Sequence, residues 1–416
     1  MKAGYKKISI DPGGDIELAG TYNRHPRIGN DRRDGLFARA LALESDGRRI
    51  ILIAADLLCI SEELHRSLCD SLGGFDKREI FLAATHTHSS FGGYFLSDAA
   101  SAMLGRPDMA RFNELVSVLK QAVEGALADL ADVDRIRAGQ GVVPGLVSSR
   151  RKKLGPYDDT VNLVRLERRN KSPIELLAVS GHPVIVLEHN AKMISADYPG
   201  EVCRRLEDLG IAPIFFSSAL GGESILFPEF QMGLERHMEL VAGLILGGRD
   251  RAQSNSREMQ AGKIHSEIVY LERPKPESRI FSPMGLPWSF LDFLLMPLLE
   301  KFGRTFDLAF PLEQGVPIHL VEVGAVLLVG TPFDLGVSIS RRISEIGRAA
   351  GRKLTVALSQ TDAYAGYIHM PAVYESVPEK GYRFMALYEN ALAMFGTGLG
   401  RKVVRAVEEK LKNGIR

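Results

Sequence analysis

The sequence predicts an α/β (α+β) fold, mixed β-sheets flanked by helices, and two observations carry that expectation. A helix-then-strand unit recurs along the chain, and several apolar strand-like runs finish in polar or glycine-rich turns. α/β folds build their sites in this way, because ligands gather outside the carboxyl ends of strands. Composition agrees. Of 416 residues, 45% are hydrophobic, and the formal net charge is +1. A large core is affordable on those terms, and there is no basic field for nucleic acid.

The elements follow in order. An apolar run at 50–55 reads as a strand, and residues 61–72 place Leu64, Leu68, Cys69 and Leu72 on one helical face before Gly73-Gly74 stops the helix. The strand Ile80-Phe-Leu-Ala-Ala84 comes next, and further strands are expected at 160–166 and 174–180. Pro199 opens a second helix with Val202, Cys203, Leu206 and Leu209 inward, Gly210 ends it, and strand 212–216 follows. After strands at 318–323 and 326–331, a third helix at 336–349 precedes the strand Leu354-Thr-Val-Ala-Leu358.

No Pro/Ser-rich linker, low-complexity tract or internal repeat marks a boundary, so residues 1–416 are read as one domain. The N-terminus lacks the apolar core of a signal peptide, and no run of about 18 apolar residues suggests a membrane span. A cytoplasmic location is the expectation, with homo-oligomers left open. Cys59, Cys69 and Cys203 are odd in number and lack metal-ligand spacing, which argues against a disulfide framework and a thiolate zinc cluster.

Chemistry concentrates where strands end. His86 and His88, in Ala84-Thr-His-Thr-His-Ser-Ser90, are two apart at the close of an apolar strand, and residues two apart on a strand share a face. Neutral imidazoles so placed suit a borderline metal such as zinc; two hydrogen-bonded histidines at a strand end are the bland alternative. His182 also follows an apolar strand directly, and Pro183 would end its ladder. Asp197, just ahead of a helix, reads first as an N-cap or turn residue. His25, His65, His189, His237 and His319 lie in loop, polar helical or strand contexts that favour solvated or core roles.

The run Ala84-Thr-His-Thr-His-Ser-Ser-Phe-Gly-Gly-Tyr94 resembles the Thr-His-Thr-His-Ser-Gly-Pro-Gly-Gly-Tyr signature of the neutral ceramidases. His182-Pro183 and Asp197-Tyr-Pro-Gly200 resemble that family's His-Pro and Ser-Asp-Asn-Pro-Gly segments, in the same order. The resemblance spans most of the chain and implies the fold of the ceramidase catalytic domain, without the C-terminal immunoglobulin-like domain, since the chain ends at Arg416. It also implies a zinc ion held by His86, His182, Tyr367 and a carboxylate. The family has a glutamate in a Pro-Gly-Glu-Phe turn where this chain reads Gly330-Thr-Pro-Phe-Asp-Leu335, so Asp334 takes the place in a gap-free register and Thr331 in an alternative one. Asp334 is favoured, because a carboxylate oxygen is the expected partner of two imidazoles in a hydrolytic zinc centre.

Around the metal, the resemblance gives His88 the water or the developing oxyanion, and Arg150 the negative charge of the tetrahedral intermediate. Tyr382 resembles a further active-site tyrosine, and Ser224 falls on the serine of a Gly-Asp-x-Ser-Pro turn that here reads Gly221-Gly-Glu-Ser-Ile225. The implied activity is a zinc-dependent hydrolase cleaving an amide (N-acyl) bond of a small-molecule or lipid-like substrate with metal-activated water. Two alternatives stay open: a non-catalytic ceramidase-like protein with a degenerate metal site, and a serine hydrolase using Ser224. Residues 285–299, the most apolar stretch and the place of the only tryptophan, Trp288, are read as core, dimer interface or lipid contact.

Overall fold

A computed structural model describes residues 1–21, 26–150, 157–226, 232–259, 262–274, 310–375, 389–390, 392–393 and 395–414. Tyr382, His25 and the apolar stretch 285–299 lie outside the described residues.

Three parallel strand pairs, each closed by a helix, organise the chain. Arg48–Ala55 and Ile80–Ala84 pair in parallel around the helix Glu62–Ser71; Ile174–Val179 and Ala212–Ser217 around Asp197–Asp208; Val326–Gly330 and Leu354–Leu358 around Val337–Ala349. These are the helix-then-strand units read from the sequence. Their helices start where chemistry allows: Ser61 caps the first through its hydroxyl to Leu64 N, and Pro199 sits in the first turn of the second, where no partner for its missing N–H is needed.

Two mixed sheets result. The larger, nine-stranded sheet runs in the order Ala212–Ser217, Ile174–Val179, Thr160–Arg168, Ala131–Val142, Lys2–Ser9, Phe37–Ser45, Arg48–Ala55, Ile80–Ala84, with Arg257–Met259 added beside Ala131–Val142. The smaller orders Ile264–Leu271, Val316–Val323, Val326–Gly330 and Leu354–Leu358. Leu41, Leu52, Phe81, Leu176 and Phe216 of the first sheet share one buried core with Val321, Leu328 and Val356 of the second, so the two sheets face each other. Strand alternation does the sorting: Leu41 and Leu43 point between the sheets, whereas Ala38, Ala40 and Ala42 point to a second core filled from the helices Met109–Ala128, Val337–Ala349 and Leu399–Asn413. The helices Asp197–Asp208 and Leu234–Ser254 build a third.

The large sheet curls until its first and last strands meet. Phe81 and Phe216 stand edge to face at 5.9 Å, and Ser217 Oγ donates to Thr85 O at 2.8 Å. Ser359 N donates to Ser217 O at 2.9 Å, and Ala84 N donates to Gln360 O at 3.1 Å. The carboxyl ends of strands from all three units therefore converge on one place. Strands Lys2–Ser9, Phe37–Ser45, Ala131–Val142 and Ile264–Leu271 and the long helices Met109–Ala128 and Leu234–Ser254 were not anticipated from the sequence.

Helix Leu234–Ser254 lies unusually close to the sheet. A Cβ at Gly141 would sit 2.0 Å from Gly248 O, and one at Gly139 2.1 Å from Ala252 O. Gly141→Ala should therefore overpack this seam and destabilise the fold by about 1–3 kcal/mol. Thermal unfolding is the check: an unchanged midpoint would mean that the helix does not approach so closely.

Candidate metal centre

The strand Ile80–Ala84 ends two residues before its first histidine. Thr85 N then donates to Ala55 O and His86 N to Leu57 O, both at 2.9 Å, and His86 turns into the left-handed region with φ 68°. His86 and His88 thus do not share a strand face, as the two-residue spacing suggested. The left-handed turn brings them together instead, with their Nε2 atoms 3.3 Å apart. Side chains from the flanking threonines brace the turn: Thr85 Oγ1 donates to Asp56 Oδ1 at 3.2 Å and Thr87 Oγ1 to Ser195 O at 2.8 Å.

His182 arrives from the end of Ile174–Val179 through Gly181, whose φ of 105° only glycine adopts easily. Asp334 follows Val326–Gly330, and its short strand Asp334–Leu335 pairs in parallel with Tyr367–Ile368. His86 Nε2 stands 3.3 Å from Asp334 Oδ1, and the Tyr367 hydroxyl donates to His182 Nε2 at 3.0 Å. Thr331, the other register's choice, spends its hydroxyl on Leu358 O. The carboxylate is therefore the group that reaches the histidines.

Each imidazole gives its Nδ1 proton to a main-chain carbonyl: His86 to Leu58 O at 2.7 Å, His88 to Gly20 O at 2.7 Å, and His182 to Glu223 O at 3.0 Å. Carbonyls only accept, so these bonds fix the tautomer and leave all three Nε2 atoms with a lone pair. Those ligand atoms lie within 4.8 Å of one another. Burial keeps the rings neutral: it pushes the His86 imidazole down to about 3, and holds His88 and His182 well below the ordinary histidine range. Burial also raises the Asp334 carboxyl to about 7, although Gln360 Nε2 donates to its Oδ1 at 2.6 Å and the Tyr364 hydroxyl to its Oδ2 at 3.3 Å.

This donor set fits a divalent cation. Two unprotonated nitrogens 3.3 Å apart set lone pair against lone pair, and a cation taken up by one of them relieves that conflict. Two or three imidazoles with a carboxylate and a phenol are the ligands of a borderline metal such as zinc.

Arg150 is buried beside these groups, its Nε donating to Ser224 Oγ at 2.7 Å and its Nη1 lying 4.0 Å from Glu389. Among the described residues no histidine is hydrogen-bonded to Ser224 Oγ. Asp197 is a structural cap, accepting from Val186 N at 2.8 Å and Tyr198 N at 2.7 Å. Gln360, Tyr364, Glu389 and His369 went unrecognised in the sequence. Glu389 accepts from Gly222 N at 3.0 Å and faces His369 Nε2 at 3.4 Å. The polar turn after Leu354–Leu358 was the available signal for Gln360 and Tyr364; nothing local marked Glu389.

No family model matches the chain. The neutral ceramidase of Pseudomonas aeruginosa is 22% identical over 438 aligned residues, covering 83% of this chain and 63% of the relative, so the chain spans under two thirds of the length of the curated protein it matches. The crystal structure of neutral ceramidase from the same organism superposes with a TM-score of 0.78 at 19% identity, over 99% of this chain and 74% of that one. A ceramidase complexed with C2 gives 0.79 at 18% identity with the same coverage. The resemblance carried by the histidine motifs is thus matched along the chain, which is similar to the neutral ceramidases in sequence and has their fold.

Proposed function

We propose that the chain is a zinc-dependent hydrolase of N-acyl amide bonds. One observation carries the reading: three imidazoles, two buried and one half-buried, turn their unprotonated Nε2 atoms to a common point beside a carboxylate. His86, His182, Asp334 and Tyr367 would hold the ion, with His88 beside these ligands. Zinc bound there supplies Lewis acidity toward an acyl carbonyl and lowers the pKa of water toward neutrality.

The chain's own groups do the rest. His88 is the most exposed of the three imidazoles, so substrate and water approach along its side, and its Nε2 accepts a hydrogen bond from the attacking water. Arg150 sets a fixed positive charge where the acyl oxygen becomes negative, and Ser224 and Glu389 hold that guanidinium in place. Tyr382 is proposed to join them. Burial excludes bulk water, so each of these charges acts at low dielectric. The relatives that share the fold are described as ceramidases, and an N-acylated, lipid-like amine is the substrate class we favour. No described helix is long and apolar enough to cross a membrane. The bond between Arg150 and Ser224 weighs against a serine nucleophile, since no described histidine stands against the hydroxyl as a base.

Elemental analysis of the purified chain should find about one zinc per molecule, lost in His86→Ala and in His182→Ala. Hydrolysis of N-acyl amides should stop on chelation and return with zinc, while His88→Ala should keep the metal and lose at least about tenfold in kcat. Zinc-free protein after reconstitution would remove the proposal. Activity that survives chelation but not Ser224→Ala would replace it with the serine reading.

The raised Asp334 carboxyl sets a pH dependence. It is protonated in the metal-free protein below about 7 and must ionise to hold a cation, whereas His86, already neutral down to about 3, has no proton to give up. Zinc affinity should therefore be level above pH 7 and fall about tenfold per unit below it. Titrations from pH 5.5 to 8 test this, with Asp334→Asn expected to flatten the slope. A level wild-type affinity throughout would show Asp334 to be ionised without the metal.

A further inference from the structure

A second buried cluster lies behind the strand that delivers His86. His319 Nδ1 donates to Asp362 Oδ2 at 2.6 Å, and His319 Nε2 lies 2.8 Å from Ser266 Oγ and 3.0 Å from Arg78 O. His65 Nε2 donates to Ile80 O at 2.8 Å and stands 3.5 Å from Asp362 Oδ1. His65, Asp362 and His319 are 7%, 3% and 1% exposed. They come from the helix Glu62–Ser71, the turn after Leu354–Leu358, and the strand Val316–Val323.

Ser266, His319 and Asp362 have the spacing of a Ser-His-Asp triad, but the hydrogen bonds forbid that chemistry. Arg78 O can only accept, so His319 Nε2 carries a proton and has no lone pair for the serine's. Nδ1 meets Asp362, which ties the His319 ring to a buried carboxylate. Burial opposes charge on both Asp362 and His65, yet the two rings hold Asp362 below the usual carboxylate range and Asp362 lifts His65 to about 9.

What the pair grips is the turn that orients Asp334. Leu82 N donates to Asp362 Oδ1 at 2.9 Å and Asp362 N to Leu82 O at 2.8 Å, which fastens residues 360–362 to the free edge of Ile80–Ala84. Gln360 and Asp362 both hold φ at 60°, in the left-handed region. From this clamped turn Gln360 and Tyr364 reach the Asp334 carboxylate. We propose that the hydrogen-bonded Asp362–His319 pair, with His65, is a positioning device that locks this turn to the His86 strand and so fixes Asp334 relative to His86. The inference rests on the metal reading above, in which both residues are ligands.

The test uses the full chain and its affinity for zinc, with the visible spectrum of the cobalt-substituted protein as a report on ligand geometry. Asp362→Asn and His319→Gln should weaken zinc binding about tenfold and shift the cobalt bands. Ser266→Ala should leave both at wild-type values, because its hydroxyl is not part of the clamp on Asp362. Zinc affinity within twofold of wild type and an unchanged cobalt spectrum in folded Asp362→Asn and His319→Gln would overturn the proposal. Should neither variant fold, His65→Gln decides, because it removes one ring and leaves the Asp362–His319 bond: a loss of about threefold or more supports the device, and no loss overturns it. Wild-type protein that binds no zinc would instead overturn the metal reading, and this inference with it.

Discussion

The centre depends on three hydrogen bonds from imidazole Nδ1 to main-chain carbonyls. Leu58, Gly20 and Glu223 supply those carbonyls from three different parts of the chain, and each bond decides which nitrogen of its histidine keeps a lone pair. A side-chain acceptor could rotate away or change its charge. A carbonyl held by the backbone can do neither, so the donor set is fixed before any cation arrives. Desolvation then removes the competing option, protonation, by making the charged imidazoles costly.

The three parallel strand pairs explain why such a set can be assembled at all. A parallel pair with a crossover helix presents both strands' carboxyl ends on the same side, and the curled sheet brings the ends of Ile80–Ala84 and Ala212–Ser217 against the turn after Leu354–Leu358. His86, His182 and Asp334 each lie within a few residues of such an end. Their positions are inherited from the sheets and not from long loops, which keeps the relative placement of residues almost 250 positions apart as stiff as the core between them.

Much of this was legible because the relevant signals are local. The apolar runs, their helical partners and the histidines at strand ends gave the three units and His86, His88 and His182, whereas Asp334 came only from the resemblance to the neutral ceramidases. The strand Lys2–Ser9 escaped notice because lysines interrupt its apolar pattern, and Ile264–Leu271 because its residues are mostly half-buried. Glu389 and the Asp362–His319 pair were invisible for a different reason: their meaning lies in partners 167 and 43 residues away, Gly222 and one another. The histidine turn was read in the right place but with the wrong geometry, since spacing alone does not show that His86 leaves the strand.

That departure connects to where the backbone is strained. Among the described residues, six that are not glycine adopt positive φ: Asp46 and Asn170, in the turns of two antiparallel hairpins, and His86, Asp197, Gln360 and Asp362. The hairpin pair needs no further account, because such turns call for that conformation. The remaining four belong to the centre or its supports, where a left-handed residue costs of order 1–3 kcal/mol and persists only if its surroundings over-determine it. They are held accordingly: His86 N by Leu57 O, Gln360 N by Phe333 O, Asp362 by Leu82 on both its backbone and its side chain, and Asp197 through its carboxylate to Val186 N. The fold thus spends core stability to hold a few residues in conformations that they would not keep alone, and those residues are the ones that aim His86 and orient Asp334.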